Sequence, residues 1–350
     1  MKKLILPLTL FCLAGLFSCT SSTQLQVLQP AQIVLPDHVE VIAIADRSKP
    51  AKGFANVVEG LFTGEDIGQD RRGRQRAQEG LTNILTRTPR YSVKSTGIEM
   101  TGSPSGNSFE PPIPWEEVER ICQQYGADAL ITIEMYDSDN YVSTGARTEK
   151  KKDKDGKQYT ETYYVADMRT QVRIGWRVYD PKQRRIIDEF TTVEDANSDA
   201  RGNSEEQARR NLASKEGVTQ TVSHAAGELY GMRIAPVWIT VSRNWYTKGK
   251  GSAKADMERA ARYARADNWD QAADIWNTLV NNATDEKTRG RAALNMAVAY
   301  ERAGKLGLAL DWAQASYTDF GNKSARSYID VLRQRIYEQE RVEEQMKGRE

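Results

Sequence analysis

Residues 164–178 hold a two-residue period without a break. Tyr164, Ala166, Met168, Thr170, Val172, Ile174, Trp176 and Val178 stand at the even positions, and Asp167, Arg169, Gln171, Arg173 and Arg177 are among the odd ones. Successive side chains of a strand point to opposite faces, so the pattern predicts one long strand with a covered face and a wet face. The covered face demands a layer packed on it. Asp180-Pro181-Lys182-Gln183 turns the chain, and residues 186–192 return beside it. On the other side, residues 150–156 form a charged tip that leads back to a strand over 129–142. Asp153, Asp155 and Gly156 match part of a calcium loop, but Lys151 and Thr162 occupy the flanking ligand positions. The tip therefore reads as an Asp-Gly turn in a solvated hairpin.

The other elements of a first domain, residues 33–246, follow in chain order. Residues 39–45 are a compact apolar run that suits a buried strand, and 51–69 read as a glycine-containing loop. Ala77, Leu81, Ile84 and Leu85 recur at helical spacing within 70–86, and Pro89 ends that helix. Its first turns carry Arg71, Arg72, Arg74 and Arg76, read as a solvated face rather than a phosphate site. Residues 91–96 form a second strand and 97–114 an irregular crossover. Trp115-Glu116-Glu117 opens a helix that ends at Gly126, and 127–133 continue directly as a strand. Val118, Ile121, Cys122 and Tyr125 fall on one face of that helix, which marks Cys122 as a core thiol. Ser204 and Gln207 make a capping box for one helix running through Tyr230, with Ala208, Leu212, Val222, Ala225, Ala226 and Leu229 inward. Residues 236–241 read as the last strand of this domain. Residues 247–252 read as a linker, because the first glycine of a phosphate-loop pattern is missing.

The succession of a helix, Gly126-Ala127-Asp128-Ala129, a hydrophobic strand and a long hairpin resembles the α/β domain of the curli-secretion lipoprotein CsgG and the amino-terminal domain of TolB. The order strand, helix, strand, helix, strand, hairpin, helix in those families matches residues 39–230. The CsgG resemblance implies a ring in which such hairpins cross the outer membrane, and alternation over about ten residues is what a membrane strand needs. Thr132, Glu134, Asp137 and Asp139 break a lipid-facing band in the partner strand. A strand packed on the domain's own helices is the preferred reading.

A second domain, residues 253–345, repeats. Tyr263, Ala266, Trp269, Ala272, Trp276 and Val280 return thirty-seven residues later as Tyr300, Ala303, Leu306, Ala309, Ala313 and Tyr317. This resembles the tetratricopeptide repeat, in which helix pairs stack small residues against aromatic ones. The first copy has Asp267 where the second has Gly304. The array is expected to close with a helix from Lys323 to about Tyr337, whose polar extension frays. The resemblance implies peptide binding along the first helix of each pair. Lys254 and Arg265, like Arg291 and Arg302, lie eleven residues or three turns apart. Four cations in one groove would receive an acidic or carboxyl-terminal peptide; the alternative is solvated charge beside Glu301.

The amino terminus decides the compartment. Lys2 and Lys3 precede an apolar stretch over 4–17, and Leu16-Phe17-Ser18-Cys19 matches the lipobox of bacterial lipoprotein signals. Residues 1–18 are expected to be removed, Cys19 to be acylated, and 19–32 to serve as a tether. The alternatives are an ordinary secretory signal or an anchor helix. Loss of Lys2 and Lys3 takes 49 basic residues to 47 against 48 acidic ones, a balance that points to neither nucleic acid nor an anionic membrane surface. Cys12 leaves with the signal, so Cys122 has no internal disulfide partner. His38 and His224 each lack a second metal ligand at useful spacing.

The expected architecture is an α/β (α+β) domain with a mixed sheet and a long hairpin, followed by an all-α tetratricopeptide-like array. Taken whole, the chain resembles the tetratricopeptide-tailed envelope lipoproteins of Bacteroidota. The expected function is a lipid-anchored adaptor at the outer membrane, facing the periplasm. Its partners would be the membrane through Cys19 and envelope proteins or peptides through 253–345, with no catalysis, cofactor or metal. The alternative is a subunit of a CsgG-like secretion channel.

Overall fold

The computed structural model describes residues 19–49, 69–102 and 108–347; the expected signal segment 1–18 and most of the expected loop over 51–69 lie outside the described residues. A mixed α/β sheet is followed by a series of helices, the architecture the sequence predicts. The chain divides into two compact units, Leu28–Trp238 with Val342–Glu350, and Met1–Val27 with Ile239–Arg341. No described helix is long and apolar enough to cross a membrane.

In the α/β unit five strands lie in the order β3-β2-β4-β5-β6. They are β2 (Val41–Lys49), β3 (Ser92–Thr101), β4 (Ala129–Lys152), β5 (Gln158–Asp180) and β6 (Arg185–Gly202). β2 runs parallel to β3 and β4, and β4, β5 and β6 are antiparallel neighbours. Helices α1 (Gln69–Arg87) and α4 (Lys215–Ile234) bring Leu81, Leu85 and Tyr230 into one core with Val172, Ile174 and Trp176. Trp176 stacks on Tyr230 with ring centroids 4.8 Å apart. On a second core, α2 (Trp115–Tyr125) sets Val118, Ile121 and Cys122 against Ala43, Leu130 and Tyr179. Burial pushes the Cys122 thiol up to about 12, so it is inert at neutral pH.

The Gly-Ala-Asp-Ala motif has two separate duties. Gly126 ends α2 in the left-handed region at φ 59°. Asp128 then accepts the backbone N–H groups of Glu40 and Val41, which pins the start of β2 beside β4. The predicted alternation in β5 holds, with Ala166 through Val178 buried at even positions and Asp167, Arg169 and Arg173 exposed. Arg177 departs from the wet face and is buried with Tyr179, because α2 covers only that end of the sheet's second face.

β6 ends opposite Tyr164, where Gly202 pairs with it. Beyond that point β4 and β5 continue as a two-stranded ribbon whose side chains are largely exposed on both faces. Lys151 pairs there with Glu161, and Arg147 reaches back to Asp167. Asp153 closes the tip by accepting N–H bonds from Asp155 and Lys157, as an Asp-Gly turn requires.

Four expectations need correction. The helix expected from Ser204 through Tyr230 is two, α3 (Glu205–Asn211) and α4. Ser214 caps the second through Gly217 N–H, and the inward face keeps Val222 and Ala226 as expected but adds Ser223, Gly227 and Tyr230, with Leu229 turned outward. The expected tether is a strand, β1 (Thr20–Gln29), in which Leu25 and Val27 are buried between polar neighbours. The strand expected to finish the α/β sheet, β7 (Val237–Tyr246), leaves it and pairs with β1. Gln26 meets Thr240 and the Cys19 carbonyl accepts the Thr247 N–H, so β1 and β7 run in opposite directions. The last correction concerns the chain's tail. Gln345 is buried and holds both the N–H and the carbonyl of Ala31, while its own carbonyl accepts from Arg90. Three hydrogen bonds keep that last helical turn from fraying.

The helical unit contains α5 (Lys254–Arg265), α6 (Trp269–Asn282), α7 (Glu286–Arg302), α8 (Leu306–Thr318) and α9 (Ala325–Met346), whose last residues belong to the other unit. The thirty-seven-residue period survives in the backbone. Asn268 N–H bonds to Tyr263 and Lys305 N–H to Tyr300; Ala266 N–H bonds to Arg262 and Ala303 N–H to Ala299. Asp267 takes φ 63° where Gly304 takes φ 72°, so the aspartate fills the left-handed position of the first copy. Trp245, Trp269 and Trp276 form one cluster with ring centroids 5.8 to 6.0 Å apart, under the β1–β7 ribbon.

Candidate functional site

Open α/β sheets offer a crevice beyond the carboxyl ends of their parallel strands. In this protein that place is filled by charge. A register shift between Ile133 and Met135 turns Glu134 inward, where it is fully buried. Its Oε1 accepts hydroxyl bonds from Thr132 at 2.7 Å and Tyr179 at 2.8 Å, and its Oε2 lies 2.9 Å from Arg47 and 3.2 Å from Arg177. Burial first, and then this carboxylate, raise the Tyr179 hydroxyl above its ordinary value. Beside it Arg74 leaves the predicted solvated face to pair with buried Asp46 at 3.1 Å, which also holds Ser48. A carboxylate so completely bonded holds the strands together.

The helical unit contains an open cleft. It measures 490 Å³ and runs between the edge of β7 at Ser242, Asn244 and Tyr246 and the wall made by Ser324 and by Ser327, Tyr328 and Val331 of α9, with Leu294 of α7 in its lining. Backbone parity aims β7 into it. Thr247 N–H points to β1, whereas the N–H and carbonyl of Tyr246 point the other way, each held by the Asn295 side chain at 2.7 Å. Successive peptide groups of a strand alternate in direction, so those of Ser242 and Asn244 face the same side as Tyr246. The carbonyl of Ser242 accepts a guanidinium N–H from Arg243. Asn244 presents both its donor and its acceptor.

A buried ion pair stiffens this cleft. Arg243 holds Glu301 with two bonds, 2.7 and 2.9 Å long, and the Tyr328 hydroxyl donates to the same carboxylate at 2.6 Å. Burial, and second the Glu301 charge, raise the Tyr328 hydroxyl, so it remains a donor through neutral pH. Edge strand and wall are thus tied at a fixed separation, and a fork of this kind is a strong contact.

The four sequence-predicted cations do not share one groove. Arg265 lies 5.9 Å from the Trp245 ring and Arg302 lies 5.3 Å from Trp269, so these two flank one tryptophan pair. Arg302 is also paired with Asp267. Arg291 stacks on Tyr246 at 5.0 Å and donates to the Lys248 carbonyl, and Lys254 is exposed on α5. Among the described residues no group of three or more His, Cys, Asp or Glu is placed to hold a metal. His38 bonds to Asp180, and His224 to Asn83. The cleft residues carried one signal in the sequence: Ile239, Val241, Arg243 and Trp245 alternate with Thr240, Ser242 and Asn244.

A family model described as Domain of unknown function (DUF8603) matches residues 39–246, more than half of the chain. The chain belongs to the DUF8603 family. A second model, Domain of unknown function (DUF6340), matches residues 258–334. In this DUF8603 member the cleft draws on both matches, since Ser242 and Asn244 fall in the first and Leu294 and Tyr328 in the second. No curated protein matches the chain. Among solved structures it is similar to a homolog of neuraminyllactose-binding hemagglutinin from Helicobacter pylori, at 11% identity and a TM-score of 0.27 over 57% of this chain and 83% of that one. TolB from Acinetobacter baumannii is matched at 11% identity and a TM-score of 0.21, over 59% of this chain and 30% of TolB. The protein CT253 from Chlamydia trachomatis is matched at 11% identity and a TM-score of 0.22, over 56% and 98%.

Proposed function

We propose that this protein is a lipid-anchored envelope adaptor that takes up an extended peptide segment of a partner along the open edge of β7, without catalysis. The orientation of Asn244 carries this reading: its peptide group faces a 490 Å³ cleft whose walls are fixed by the Arg243–Glu301 fork. Adding a strand to an exposed edge is a general recognition mode, in which main-chain bonds supply affinity and the neighbouring pockets supply selection. Ser324, Ser327 and Tyr328 offer polar contacts opposite that edge, and Leu294 and Val331 apolar ones.

The Asn244→Pro variant removes the outward N–H, while Asn244→Ala keeps it, and neither touches the β1 side of the strand. Affinity capture from envelope extracts is expected to lose its partner with proline and keep it with alanine. Equal recovery by both variants would overturn the edge-strand reading. The anchor has its own check. Cells expressing the protein are expected to incorporate labelled palmitate, and Cys19→Ala is expected to abolish that label and shift the protein to the soluble fraction. An unchanged label in Cys19→Ala would place the acyl group elsewhere.

A further inference from the structure

Cys19 is exposed, and its carbonyl is already hydrogen-bonded to Thr247, with strand β1 starting at the next residue. An acyl chain on this residue would have no flexible tether. A coil over residues 19–32 would spread over about 20 Å, well past a Debye length of about 8 Å, so charges on the body would barely feel the lipid. With β1 ordered from its first residue, whatever surrounds Thr247 is held within a few residues' reach of the bilayer.

What surrounds it is basic. Tyr246 and Lys248 flank Thr247, and Tyr246 lines a second cleft of 570 Å³ together with Lys287, Arg291 and Lys323, against one acid, Glu286. Lys287 and Lys323 are exposed. Arg291 is fixed by Tyr246 and the Lys248 carbonyl, and Asp285 is engaged with the Thr288 hydroxyl and N–H. From the anchor's position and this charge we infer that the Lys287–Arg291–Lys323 cleft is the membrane-facing surface of the helical unit, seated on the phosphates of anionic phospholipids. The inference rests on the lipid-anchored reading. Cations at a bilayer surface are attracted to anionic lipid only within about a Debye length, which the ordered strand provides.

The test uses the chain from Cys19 to Glu350 coupled through the Cys19 thiol to a maleimide-bearing lipid; buried Cys122 does not compete. Acetylation of Lys287 and Lys323 is read by mass spectrometry, with exposed Lys305 as the internal reference. On vesicles containing phosphatidylglycerol, Lys287 and Lys323 are expected to react severalfold more slowly than in the uncoupled protein. On phosphatidylcholine alone, or with a Gly-Ser spacer inserted between Cys19 and Thr20, the protection is expected to vanish. Equal protection on phosphatidylcholine, protection that survives the spacer, or the same protection of uncoupled protein by inorganic phosphate would each overturn the inference. Because the lipid is attached chemically, failure here is distinct from failure of palmitate labelling in cells.

Discussion

Glu134→Ala is expected to destabilise the α/β unit by about 3 kcal/mol, the lower end of the scale for removing one partner of a buried ion pair, because Arg177 stays paired with Glu189 while two buried hydroxyls lose their acceptor. Glu134 is fully buried and Arg177 is 3% exposed, so water cannot replace the lost carboxylate at either end. Arg47 suffers less, since it is 14% exposed and also bonds to the Pro111 carbonyl. Arg177 keeps Glu189, Tyr179 and the Glu110 carbonyl, which hold the guanidinium in place and prevent it from swinging out. The Thr132 and Tyr179 hydroxyls lose their acceptor at the same time. Urea titration followed by circular dichroism measures the effect. Pairing Glu134→Leu with Arg177→Met is expected to restore most of the loss, because an apolar pair of similar volume avoids the desolvation of both charges. A loss below about 1 kcal/mol in Glu134→Ala, the scale of a surface pair, would show that water reaches this site.

Gly227→Val is expected to cost the same unit about 3 kcal/mol, the upper part of the range for an overpacked core. Helices α1 and α4 meet backbone to backbone. A β-carbon at residue 227 would collide with the Ala77 carbonyl oxygen, and one at residue 80 with the His224 carbonyl oxygen. Neither obstacle is a side chain that can rotate away, so the helices must separate and loosen Leu81, Leu85 and Tyr230 from the sheet. The sign of a smaller change is diagnostic. In an exposed helix, glycine to alanine gains about 1 kcal/mol from propensity alone. Gly227→Ala is expected to lose stability in spite of that gain, whereas Gly145→Ala in the hairpin, where a β-carbon meets nothing within 4 Å, is expected to be near neutral. Thermal melts of the three variants decide it. A raised midpoint for Gly227→Ala would mean that the two helices are not in close contact.

The same pair of helices explains one misreading of the sequence. Hydrophobic periodicity assigned Leu229 to the inner face of the helix after the hairpin, yet Leu229 is 43% exposed while Ser223, Gly227 and Gly231 are buried. A helix that approaches another through its backbone buries its smallest side chains, so its apolar stripe is displaced from its contact face. The candidate cleft was hidden for a different reason. Two-residue alternation in residues 239–245 marks a strand, but only the partner on one side and the Asn295 clamp on the other reveal which edge stays open. Two pairs of cations eleven residues apart were legible as helix-face neighbours; the engagement of Arg265, Arg291 and Arg302 by Trp245, Tyr246, Trp269 and Asp267 was not.

Local chemistry alone determined the long hairpin, the helix ended by Gly126 with its core thiol, and the thirty-seven-residue helical repeat. Each depends on side-chain period or on a backbone angle that a single residue type favours, and those preferences act over a few neighbours. Tertiary structure decided the rest. Residues 20–29 became a strand because residues 240–247 present a matching edge, and Gln345 became ordered because Ala31 and Arg90 receive it. Glu134 became a core residue because Arg47 from β2 and Arg177 and Tyr179 from β5 converge on it. Such pairings join residues far apart in the chain, and their free energy exists only once both partners have been brought together.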